Sequence, residues 1–156
     1  MKLLLLIPAA LIAFYLFSFT FMAIDSKKVK GIGLEDGRLR SCPGTPNCVL
    51  SEEKDKPSYI EPFVFAGNAA DEWARMKDAV QKIGGKIIKD DGNYYLWATF
   101  KSSFWGFIDD VELRMDAATK TIQVRSASRV GKGDLNVNRK RIERLRAVFN
   151  AQPRAI

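Results

Sequence analysis

The sequence predicts an α+β domain: an antiparallel β-sheet with two helices packed on one face. Three observations carry this. The runs "FIDDVELRM" and "TIQVRSAS" alternate apolar and polar residues, the mark of half-buried strands, and the short turn "DAATK" between them makes them neighbours. Two stretches of helical periodicity stand at either end of the strand run and do not alternate with it, which favours a meander over parallel βαβ units. Residues 42–150 then read in the order β-α-β-β-β-β-α, long enough to bury an adequate core.

The chain starts with an apolar segment. From Leu3 through Ile24 there are 22 residues without a charge. That length can cross a hydrocarbon core of about 30 Å, so residues 1–24 are expected to form a transmembrane helix with the membrane as its partner. A cleaved export signal is the competing reading. It needs small residues at −3 and −1, and a cut after Ala23 or Ser18 puts Phe21 or Leu16 at −3. Residues 25–41 follow as a polar linker with three glycines.

Lys27, Lys28 and Lys30 after the apolar run favour a cytoplasmic domain. The cysteines argue the other way. Cys42 and Cys48 enclose the prolines of "CPGTPNC", and the chain has no His and no further Cys to complete a metal site. A disulfide is the favoured reading, two free buried thiols the alternative, and disulfides persist outside the cytosol. The domain is therefore expected on the extracytoplasmic, periplasmic side. Secretion after signal cleavage and a cytoplasmic location are the alternatives.

The rest of the domain follows from local signals. Residues 42–58, with three prolines, read as a loop. "YIEPFVF" (59–65) is an extended entry held to an edge by Pro62. Residues 69–83 form a helix with Trp73, Met76, Val80 and Ile83 on one face, Asn68 as N-cap and Gly84-Gly85 as stop. "KIIKD" (86–90) and "YYLWATF" (94–100) are strands joined through the turn "DGN". The loop 101–107 carries Phe104 and Trp105, either at an exposed tip or folded back on the core. Asp134 is expected to cap a last helix reaching about Asn150, with Leu135, Ile142, Leu145 and Phe149 as its stripe. Asn138 falls on that stripe, so its amide needs partners, and a role in holding the 129–134 loop or a strand end follows.

Four blocks, "CPGTPNCV", "FIDDVELRMD", "IQVRSASRVG" and "DLNVNRKRIERLR", are similar in that order to the signature blocks of the family numbered 1499 among the domains of unknown function. The resemblance covers about residues 42–150. It implies a fold and an export segment, and carries over no catalytic residue. The sequence departs from the family pattern at Leu50, Gly133 and Asn136.

Net charge is +7, unevenly spread: residues 125–154 hold nine Lys or Arg against Asp134 and Glu143. A basic surface favours anionic partners. Anionic lipid or an envelope polymer suits an exported domain better than nucleic acid, which is not expected as a partner. Arg125, Arg129 and Arg139 are the candidate anion site. In "RVGKGDLNVNRKR" the earlier glycine of a phosphate loop is missing and Asp134 stands where phosphate would sit. The stretch thus reads as either a capped turn or a weak anion site built from side chains.

Asp110 and Glu112 share a strand face about 7 Å apart, whereas Asp109 points the other way. Matching Met115 to Ile122 puts Glu112 opposite Arg125, so a cross-strand ion pair competes with a carboxylate site. Without His, nucleophilic triads are excluded. No cofactor and no metal are expected. The leading reading is a binding or accessory module for an anionic or amphipathic envelope ligand. The alternative is a hydrolase using Asp110 and Glu112.

Overall fold

The protein is described by a computed structural model covering residues 2–92, 94–103 and 105–153. It is an α+β fold of three helices and antiparallel sheets. The main sheet contains the expected meander of β5 (Lys86–Asp90), β6 (Tyr95–Lys101), β7 (Ile108–Asp116) and β8 (Thr121–Ser128). Its β7–β8 register sets Met115 against Ile122 and Glu112 against Arg125, as the turn length predicts. β4 (Phe63–Val64) pairs with the start of β8.

Three strands arise in stretches read as loop or linker. β3 (Cys48–Leu50) pairs with the end of β8, and the sheet runs β3-β8-β7-β6-β5. β1 (Leu34–Glu35) and β2 (Arg38–Leu39) form a short separate hairpin around Gly37. Gly37 has φ +75°, a left-handed conformation that glycine adopts without steric penalty.

The sheet has two unlike faces. One carries Leu96, Ala98, Val111, Leu113, Ile122 and Val124, all fully buried beneath the helices. α2 (Ala69–Lys82) forms where the 3.6-residue pattern predicts it, and its Trp73, Met76 and Val80 enter this core. Asn68 caps it by accepting from the Ala70 amide at 2.9 Å. At its end Gly84, φ +93°, donates to the Gln81 carbonyl and Gly85 to Val80. Arg75 ties α2 to the last turn of the final helix by donating to the Phe149 and Gln152 carbonyls.

That last helix, α3, spans Val137–Ala151 and starts two residues later than an Asp134 cap implies. Leu135 and Asn136 both have left-handed backbones (φ +53° and +63°), so neither can belong to a right-handed helix. Leu135, expected on the apolar stripe, is 90% exposed, while Ile142, Leu145 and Phe149 are buried as expected.

α1 (Lys2–Asp25) is helical, but the expected transmembrane anchor is corrected. Among the described residues no helix is long and apolar enough to cross a membrane. The end of α1 is spent on packing against the domain. Phe19 stacks on Trp105 with ring centroids 4.6 Å apart and meets Phe107 at 6.2 Å. Ser26, just beyond the helix, is fully buried. Trp105 is thus folded back and half-buried, while Phe104 lies outside the described residues.

Candidate functional site

The second face of the sheet carries polar and aromatic side chains: Tyr95 and Trp97 from β6, Asp110, Glu112 and Arg114 from β7, and Arg125 from β8. Their common orientation follows from strand alternation. Residues 26–41 cross this face as a strap, with Leu39 packed on Leu50 and Tyr95.

Three carboxylates on or beside this face fasten the strap, and each is backed by an arginine. Asp110 accepts from Arg129 Nε and Nη2, both at 2.7 Å, and from Trp97 Nε1. The same guanidinium reaches over to the Ser26 and Lys27 carbonyls at 3.1 Å, satisfying backbone at the end of α1. Glu112, fully buried, accepts from the Gly33 amide and the Tyr95 hydroxyl through Oε1, and from Arg125 Nη1 through Oε2 at 2.8 Å. Glu52 accepts from the Leu39 amide and from Arg114 Nε, each at 2.8 Å. Burial and the Glu112 carboxylate together push the Tyr95 phenol far above its ordinary range, so it stays a neutral donor.

Asp110 and Glu112 sit side by side on this face. They share a face, as alternation requires, but every one of their oxygens already receives a hydrogen bond. Among the described residues no group of three or more His, Cys, Asp or Glu could hold a metal ion. What the arrangement offers chemically is its cations.

A cleft of about 430 Å³ opens between the strap and the ends of β7 and β8, lined by Lys30, Glu35, Arg40, Asp110, Arg125 and Arg129 among others. Arg129 has spent its donors on Asp110 and the strap. Arg125 has not. It is 93% buried by residue, being 7% exposed, yet only Nη1 is matched. Its Nε is buried with no hydrogen-bond partner, and Nη2 has none among the described residues. Leaving a buried donor unmatched costs about 1–3 kcal/mol. Arg40, exposed on the cleft wall, also has no ion pair or hydrogen bond among the described residues.

Arg139 is not brought to this cleft. It lines a separate one of about 540 Å³ beside the Cys42–Cys48 disulfide, where it donates to the Tyr59 carbonyl at 2.8 Å. The three arginines grouped by the sequence therefore divide two and one. The disulfide itself forms as the spacing suggests and binds the 42–48 loop to β3.

"RVGKGDLNVNRKR" resolves into a turn. Asp134 accepts from the Asn136 and Asn138 amides at 3.0 and 2.8 Å, occupying the donors an anion would need. Asn138 is fully buried and satisfied: Oδ1 accepts from Ser126 Oγ, and Nδ2 donates to the Asn47 carbonyl, Ser128 Oγ and Asp134. It joins β3, β8 and the turn, the structural role its place on the stripe implies.

Sequence reasoning missed Glu52, Gly33 and Arg40. Glu52 lies in a proline-rich loop 62 residues from Arg114. Gly33 acts through its amide, which no side-chain pattern reveals. A model of the family described as Protein of unknown function (DUF1499) matches residues 38–149. Comparison with curated proteins and with solved structures finds no match.

Proposed function

The chain belongs to the family described as Protein of unknown function (DUF1499), and from that premise we propose that it is an extracytoplasmic binding module taking a phosphate or carboxylate group in the Arg125 cleft. The observation that carries this is Arg125 itself. A guanidinium held beneath a cleft with one nitrogen paired and two unmatched has its free donors on one edge, and that edge can bond two oxygens of one oxyanion at once. Glu112 fixes the guanidinium from behind, so little side-chain entropy is lost on binding. Arg40 and Lys30 add positive charge at the mouth. The disulfide supports the extracytoplasmic part of the reading, because such bonds persist in oxidising compartments. An anionic lipid headgroup and an anionic envelope polymer are the partners this chemistry suits.

The test is calorimetric titration of the full chain with inorganic phosphate, beside co-sedimentation with phosphatidylglycerol vesicles. Arg125→Lys keeps a charge for Glu112 but loses the two-toothed edge, and is expected to weaken phosphate binding by about 1.5–3 kcal/mol, the worth of a charged hydrogen bond. Arg139→Gln, in the other cleft, is expected to leave it unchanged. Vesicle binding that follows the same order points to a headgroup as the source; phosphate binding without it points to a soluble anion or polymer. Equal loss in both variants, or none in either, contradicts the proposal.

A further inference from the structure

We infer that the strap is a gate on this site, with residues 28–38 as the part that moves and the Gly33–Glu112 hydrogen bond as its latch. The inference rests on the anion site proposed above and adds how the ligand reaches it. The starting observation is that Arg125 Nε is fully shielded as well as unpartnered. An oxyanion cannot engage both Nε and Nη2 while the cover stays in place, and Lys30, Gly31 and Glu35 of the strap line the cleft together with Arg125.

The fastenings of the strap are unequal. Its two ends are held by charged side chains. Arg129, paired with Asp110, holds the Ser26 and Lys27 carbonyls, and Ser26 Oγ also accepts from the Ile108 amide. Glu52, paired with Arg114, holds the Leu39 amide, and Leu39 is buried. Between these anchors the Gly33 amide reaches the strands at Glu112, 2.8 Å away, while Arg38 donates to the Glu52 carbonyl beside the Leu39 anchor and Lys28 and Lys30 pair with Asp25 at the other. Residues 34–38 are all exposed, and their hairpin pairs two residues a strand. Gly31, Gly33 and Gly37 have φ of +60°, +109° and +75°, and a Cβ at any of them would meet nothing within 4 Å. Glycine is therefore there for backbone conformation and freedom, not for close packing. A span with one hydrogen bond to the strands beneath it, exposed side chains over 34–38 and three glycines has the low local stability from which moving loops are drawn.

Glu112 joins the latch to the ligand site. Glu112 carries Arg125 and Gly33 on its two oxygens. Lys30 is likewise shared, being paired at 2.8 Å with Asp25 at the end of α1 while lining the cleft. Binding at the shielded Nε requires its cover to part, so it favours the lifted strap, and the two ends remain where the Arg129 and Arg114 pairs hold them.

The experiment is amide hydrogen exchange by NMR on the full chain, with and without saturating inorganic phosphate, binding being measured in parallel by calorimetry. The expected result is that phosphate accelerates exchange at Gly33 by roughly tenfold or more while the Leu39 amide, on its anchor, is unchanged. If phosphate binds and Gly33 exchange stays the same or slows, the gate is overturned and the anion site stands. If phosphate does not bind the wild-type chain, the site fails and the gate falls with it. Arg125→Lys, examined in the same way, separates the two further: loss of binding with Gly33 exchange at its phosphate-free rate is expected, and phosphate-dependent acceleration in this variant would show that the strap answers to another site.

Discussion

At the scale of single residues, the account turns on which arginines are spent. Arg129 and Arg125 stand in one cleft, but Arg129 is a fastener. Its side chain is 4% exposed, its Asp110 partner 3%, and four of its bonds go to named acceptors. Arg129→Ala leaves a buried carboxylate without its counter-charge and frees the end of α1. The expected loss is about 3–5 kcal/mol of folding stability, read by chemical denaturation. A loss below 1 kcal/mol would mean that Asp110 is solvated and the strap is held elsewhere. A count of basic residues cannot distinguish Arg129 from Arg125, since both sit in the same run of "QVRSASR". Their partners, Asp110 and Glu112, lie 19 and 13 residues away. Strand alternation and turn length do make the Glu112–Arg125 pair legible. The Arg129–Asp110 pair depends on the chain bending past the strand end, which the pattern does not fix.

At the scale of elements, period and capping signals are legible where they are local. α2 shows this: its cap, apolar face and glycine stop all lie within the segment itself. β3 is not legible because the three residues of "CVL" lie inside a proline-rich stretch, and their strand character comes from pairing with β8. The start of α3 is not legible, because Asp134 does cap amides, but across two left-handed residues that no propensity predicts. The junction of α2 and β5 gives a sharp test. A Cβ on Gly85 would lie 2.6 Å from Phe100 Cζ, 2.7 Å from Val80 Cγ1 and 2.9 Å from the Val80 carbonyl oxygen. The last is backbone and cannot rotate aside. Gly85→Ala is expected to cost about 1–3 kcal/mol by overpacking, measured as a shift in the denaturation midpoint. Gly133, whose Cβ would meet nothing within 4 Å and whose φ is not positive, should accept alanine with little change.

At the scale of the whole molecule, the protein is a two-faced sheet. The face under α2 and α3 is an apolar core that the sequence displays through periodicity. The other is a polar floor under a strap, and it was illegible because the strap has no periodicity and is held by backbone amides and carbonyls. The same blindness produced the transmembrane reading. Apolar composition over residues 3–24 suggests a span, whereas the end of α1 is committed to Trp105, Phe107 and the Arg129 fastener. Arg125 is where the polar floor departs from full satisfaction: Asp110, Glu112 and Asn138 are all matched, and this one guanidinium keeps an open edge. The most direct measurement is therefore the NMR signal of the Arg125 side-chain Nε–H during titration with inorganic phosphate. The account predicts a downfield shift that saturates with the calorimetric isotherm, as an unbonded donor acquires a charged acceptor. A resonance that does not move while phosphate binds would contradict it, and would place the anion on other residues.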